Sequence, residues 1–131
     1  MDSGAMSTTA TANGRCLIVE DNFLISMDLE EMLKSMGFKV IDQATTLQQA
    51  TDLLARMQYS VVLLDLTLGI ESSLPLVNHL KQLKIPFAIT TGYQVDQSRA
   101  PYHDVPVISK PYLYDKVSRT LVELLRSPRP V

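Results

Sequence analysis

The chain has no tryptophan, one cysteine and two histidines in 131 residues, and these scarcities narrow what it can do. A lone Cys16 cannot close an internal disulfide. It sits in an apolar run, so it reads as a small core residue and not as a metal ligand or nucleophile, which favours a reducing compartment. His79 falls in a predicted helix and His103 in a loop; both read as surface residues, and neither is assigned to catalysis. Neither sign of charge is in excess: 12 basic against 14 acidic residues leave a net charge of −2 and a pI near 5.6. Nothing in that balance attracts nucleic acid or an anionic membrane at long range. No apolar run approaches the roughly 20 residues of a membrane span. The opening Met1–Gly14 is polar, with neither a basic region nor an apolar core for export, so the expected location is cytoplasmic. What is present is ordinary for a globular chain: 46% hydrophobic and 20% charged residues, at the length of one domain.

Residues 1–14, rich in Ser, Thr, Ala and Gly, are expected to form a disordered lead that includes part of a tag, and 127–131, with two prolines, a frayed tail. Between them, 15–126 is expected to be a single domain. Cys16–Val19 is continuously apolar and then turns acidic at Glu20-Asp21, the pattern of a short buried strand whose end meets solvent. Ile25, Leu29, Met32, Leu33 and Met36 follow at helical spacing, closed by Gly37. A second strand is predicted over Phe38–Ala44, then a helix opened by Thr46 and Gln49 as a capping box. Tyr59–Asp65 is β-branched and Leu-rich, apolar until its closing carboxylate, and reads as a central strand buried on both faces. A loop through Gly69 leads to a helix with Pro75 near its start and Leu76, Val77, Leu80 and Leu83 as its stripe. Pro86–Thr90 and Val105–Ile108 read as strands four and five, and Leu113, Val117, Leu121, Leu124 and Leu125 mark a last helix. Between Gly92 and Val105 no apolar stripe appears at helical spacing, so the helix expected there is short or absent. Alternating strands and helices predict an α/β fold, a doubly wound five-stranded parallel sheet, whose binding crevice lies beyond the carboxyl ends of the strands.

Read at those ends, the sequence offers Glu20 and Asp21, then Asp65, then Thr90 and Thr91, then Lys110 before Pro111. Clustered carboxylates raise one another's pKa unless a cation joins them, and hard oxygen ligands suit Mg²⁺. A carboxylate ending a buried strand is also a candidate nucleophile toward phosphorus, with a metal ion, an ammonium and a hydroxyl neutralising the transferring oxygens.

In order and spacing, these residues resemble the response-regulator receiver (CheY-like) domains, over about Arg15 to Arg126. The resemblance implies strand order 2-1-3-4-5, an acidic pair at Glu20-Asp21 and a phosphoacceptor at Asp65. It also implies a switch hydroxyl at Thr91, an essential Lys110, and Mg²⁺ held by Glu20, Asp21, Asp65 and the backbone carbonyl of Thr67. Pro86-Phe87-Ala88-Ile89-Thr90-Thr91-Gly92-Tyr93 is similar to the Pro-Phe-x-Phe-Ala-Thr-Gly-Tyr signature of the FAT GUY group of single-domain receivers, with Ile89 and Thr90 as departures. Thr91 is chosen over Thr90 because it precedes Gly92 and because alternation places the two hydroxyls on opposite sides. Val107, three before Lys110, stands where receivers usually carry an aromatic switch, so the switch here must differ. Tyr93 and Thr67 occupy positions that tune water's access to the phosphoryl group, and Tyr93 is expected to screen it.

The implied role is a phosphoacceptor in two-component signalling or a phosphorelay. Its partners would be a histidine kinase or histidine phosphotransfer protein and a downstream protein, with no nucleic acid or membrane. Its chemistry would be self-catalysed phosphorylation and slow autodephosphorylation, not enzymatic turnover. Taken singly the motifs have plainer readings: acids favour helix N-termini, Thr91 and Lys110-Pro111 suit turns, and Tyr112 suits packing. Three other functions compete. One is a pseudo-receiver that binds partners without phosphorylation. A haloacid-dehalogenase-like phosphatase would need a second Asp where Thr67 stands. A flavodoxin-like carrier lacks its phosphate loop here.

Overall fold

The computed structural model describes residues 14–92, 102 and 104–126. In chain order the elements are β1 (Arg15–Val19), α1 (Phe23–Ser35), β2 (Val40–Ala44), α2 (Leu47–Arg56), β3 (Val61–Asp65), β4 (Thr67–Leu68), β5 (Glu71–Ser72), α3 (Leu74–Leu83), β6 (Phe87–Thr91), β7 (Val107–Ser109) and α4 (Tyr114–Arg126). Five strands pair in parallel in the order β2-β1-β3-β6-β7, the expected order once the small β4-β5 pair is set aside. The chain leaves β1 toward β2 on one side and resumes at β3 on the other, so the switch point of the sheet lies between β1 and β3.

The apolar runs in β1, β3 and β6 follow from this topology. A central parallel strand is covered on both faces, and alternate residues enter different layers. Leu17, Val19, Val62, Leu64 and Ile89 pack with Leu54, Leu76, Val77 and Leu80 of α2 and α3. Cys16, Ile18, Val61, Leu63 and Ala88 pack with Leu29 and Leu33 of α1 and Val117 and Leu121 of α4. Past Arg15, which opens β1 and pairs with Asp42, polar residues break the pattern only at the carboxyl ends.

The helix ends explain where the predicted boundaries moved. Gly37 (φ 106°) donates to Lys34 O and Phe38 N to Leu33 O, a Schellman closure that keeps Phe38 with α1, so β2 starts at Val40. The expected capping box is offset: Thr46 accepts from Gln49 N, but the Gln49 side chain reaches Thr45 N at 2.7 Å. Pro106 has no N–H, and the fifth strand begins after it, at Val107 and not at Val105. The loop after Asp65 contains a hairpin that was not expected. Leu68 pairs with Glu71 around Gly69-Ile70, and Gly69 takes φ 61° while Ile70 does not share a positive φ, the pattern of a type II′ turn.

The predicted lead and tail fall on residues outside the described ones, save Gly14, and so does most of the segment expected to have a short or missing helix. Among the described residues no helix is long and apolar enough to cross a membrane.

Candidate functional site

Glu20 follows β1 directly, and its amide still bonds to Ala44 O of β2 at 3.0 Å, which fixes the acid at the mouth of the switch point. The helix that follows is capped by Asn22 and not by either acid. Asn22 Oδ1 accepts from Leu24 N and Ile25 N at 3.0 and 3.2 Å, leaving Asp21 free of that duty. Asn22 N in turn donates to Glu20 Oε2 at 3.1 Å, while Oε1 of Glu20 is buried without a partner. Asp65 ends β3 half-buried, with Oδ1 accepting from Thr67 N at 3.3 Å. Carboxylate oxygens of Glu20, Asp21 and Asp65 lie within 4.8 Å of one another.

The opposite wall comes from β6 and β7. Thr91, buried at the end of β6, and Gly92 reach the cleft, and Lys110 N donates to Thr91 O at 3.0 Å, tying the lysine to that strand. A Cβ on Gly92 would stand 3.4 Å from Lys110 Cδ, so the missing side chain is what lets the lysine stem lie close. The Lys110–Pro111 peptide bond is cis. Together Glu20, Asp21, Asn22, Asp65, Thr67, Gly69, Thr91, Gly92 and Lys110 line an open cleft of about 390 Å³.

The electrostatics of this cleft favour a cation. Burial chiefly pushes the Glu20 carboxyl up to about 7, with the charge of Asp65 adding to the rise and the Asn22 amide and Lys110 opposing it. Burial likewise raises Asp65, against the neighbouring Glu20 carboxyl, the Thr67 amide and the Lys110 ammonium, while Asp21 adds to the rise. Three acids around one ammonium leave negative charge uncompensated, and the orphaned Glu20 oxygen is a ligand-ready atom. The donor set is all oxygen, with an open side for water, which fits a hard divalent ion such as Mg²⁺.

Every site residue predicted from the sequence therefore lines this one cleft: Glu20, Asp21, Asp65, Thr67, Thr91 and Lys110. Thr90 does not, as alternation required. Tyr93 and His103 lie outside the described residues, and His79 is half-buried on α3. Three contributors were not foreseen. Asn22 caps α1; the signal was an Asn directly before an apolar-periodic run. Gly69 reads as a turn residue in sequence, and the hairpin puts it beside Asp21, whose Oδ2 would lie 3.6 Å from a Cβ there. Ser73 is buried, its hydroxyl donates to the backbone carbonyl of Asp65, and its amide bonds Leu66 O at 3.0 Å. No sequence pattern pointed to Ser73, because its partner is a backbone atom.

Comparison with known proteins agrees with this geometry. The family model described as response regulator receiver domain matches residues 16–116. The sensory transduction protein LytR of Staphylococcus saprophyticus is 31% identical over 111 residues, covering 82% of this chain and 44% of its own length, so the chain spans under half of that curated relative. Among solved structures, the REC domain of the Erythrobacter litoralis response regulator PhyR has a TM-score of 0.76 at 30% identity, covering 93% of this chain and 99% of that one. SdrG of Sphingomonas melonis has a TM-score of 0.75 at 33% identity, covering 87% and 98%. With the matched model spanning most of the chain and the acids, hydroxyl and lysine at one switch point, the chain belongs to the response regulator receiver domains.

Proposed function

We propose that this receiver accepts a phosphoryl group on Asp65 from a phosphohistidine donor, a histidine kinase or a histidine phosphotransfer protein, and signals through the change this makes in its surface. The observation that carries the reading is the meeting of three carboxylates, a buried threonine and one lysine around a single cleft at the switch point. Glu20, Asp21, Asp65 and the Thr67 carbonyl would hold Mg²⁺. When bound, the ion supplies positive charge to the oxygens of the transferring group.

The remaining work belongs to the chain's own groups. An Asp65 oxygen attacks phosphorus as the donor's N–P bond breaks, and the imidazole leaves with that electron pair and takes up a proton. Asp65 must be ionised to attack, and the Thr67 amide and Lys110 both favour that state. The Lys110 ammonium and the Thr91 hydroxyl then neutralise and orient the phosphoryl oxygens, as a loose, charge-dispersed transition state requires. Ser73 holds the Asp65 backbone, and the Asn22 amide holds the Glu20 carboxylate. Phe23 and Leu24, which directly follow the cleft-lining Asn22, with Met27 on α1 and Leu113 and Tyr114 soon after Lys110, are exposed apolar residues; they suit an apolar donor surface.

The test is uptake of phosphate. With Mg²⁺ and a small phosphoramidate donor, the wild-type chain should gain the mass of one phosphoryl group, stable in acid and labile in base, and Asp65→Asn should gain none. Equal labelling of the mutant would move the acceptor elsewhere. No labelling of the wild type would leave a binding module that works without phosphorylation.

A further inference from the structure

Among the described residues, three buried side-chain polar atoms lack a hydrogen-bond partner: Glu20 Oε1, Ser26 Oγ and the Tyr112 hydroxyl. They share one side of the sheet. Cys16 and Ile18 enter the layer under α1 and α4, and Glu20, two residues on, continues that alternation. Ala88 enters the same layer, so Thr90 follows it there, away from the cleft that Thr91 lines. Ser26 lies one turn before Leu29, on the face by which α1 joins this layer, and Tyr112 packs against the same layer. The Glu20 oxygen is accounted for by the cation site. The two hydroxyls are not, and a buried hydroxyl without a partner is costly to keep.

Tyr112 is also joined to the cleft. Lys110 Nζ stands 6.0 Å from the centre of its ring, within the range of a cation–π attraction. Only Pro111, whose ring fixes φ, separates the two residues. Burial and the acids of the cleft push the tyrosine up to about 12, and the Thr90 side chain is near enough to oppose them, yet no bond of proper geometry joins the two hydroxyls.

We propose that Tyr112 carries the state of the cleft to the layer between α1 and α4: when an anion on Asp65 draws Lys110 off the tyrosine ring, the ring shifts and its hydroxyl bonds Thr90. The unpartnered hydroxyl is one of two arrangements, and occupancy of the cleft selects the other. Through Thr90 the shift reaches the layer that holds Leu29 of α1 and Val117 of α4, with Ser26 on the same face of α1 as Leu29.

This inference rests on the phosphoacceptor reading, and nuclear magnetic resonance of the full chain, with Mg²⁺ and beryllofluoride as the phosphoryl mimic, separates the two. Shifts of the Thr67 and Gly69 amides report loading. In the wild type they should come with shifts of the Tyr112 ring carbons, the Ser26 amide and the Leu29 and Val117 methyls. In Tyr112→Phe, loading should persist while the Leu29 and Val117 shifts fall at least twofold. Undiminished far-side shifts in the variant would overturn the proposal, as would unmoved Tyr112 ring carbons in a loaded wild type, a measurement that needs no variant. Absent Thr67 and Gly69 shifts in the wild type would overturn the phosphoacceptor reading and this inference with it.

Discussion

At the scale of single residues, Glu20 is the most exposed to test, because it is buried, half-partnered and ready for a ligand. An isolated glutamate titrates near 4.5, and here the carboxyl is pushed up to about 7. Between those values the folded chain keeps a proton that the unfolded chain has released. Metal-free stability should therefore fall as pH rises through that window, and level off above it. Glu20→Gln removes this contribution and should raise metal-free stability at pH 8 by roughly 3 kcal/mol, the rise from 4.5 to about 7 being worth about 1.4 kcal/mol per pK unit. Urea unfolding at pH 5 and pH 8 checks this: the two proteins should differ at pH 8 and converge at pH 5, and parallel behaviour at both would contradict it. Mg²⁺ should stabilise the wild type more at pH 8 than at pH 5, since protons and the ion compete for the same oxygens. Residue identity at the cleft was readable in advance because each acid, hydroxyl and amine ends an apolar run. Ser73 was not, because it acts on the Asp65 carbonyl, a backbone atom that becomes its neighbour only on folding.

At the scale of elements, apolar runs and helical stripes located the five main strands and four helices, while the β4-β5 hairpin escaped notice. Two-residue strands are too short to show alternation, and their only mark was Gly69. That glycine sits at φ 61°, where a Cβ is disfavoured in any residue, and it carries the hairpin that walls the cleft opposite Lys110. Gly69→Ala should cost roughly 1–2 kcal/mol of stability. At the fully exposed neighbour, Ile70→Ser should stay within about 0.5 kcal/mol of the wild type. Urea midpoints decide between them, and an Ala variant as stable as the wild type would mean that the turn relaxes without loss. The strand ends that moved, at Phe38 and Pro106, did so through a Schellman closure and a missing N–H, both local effects that a hydrophobic pattern does not record.

At the scale of the whole molecule, the parallel order β2-β1-β3-β6-β7 brings together residues that lie 90 positions apart in sequence, from Glu20 to Lys110. None of the four segments could form the cleft alone. The topology was legible because parallel strands need crossovers of one hand, which leaves few orders open. In the function proposed above, this convergence makes Asp65, and not its acidic neighbours, the nucleophile. An acyl phosphate reduced with borohydride leaves a permanent mark on the residue that carried it. After phosphorylation in Mg²⁺, reduction and proteolysis, peptide mass spectrometry should find that mark at Asp65 alone. A mark at Glu20 or Asp21 instead would contradict the assignment.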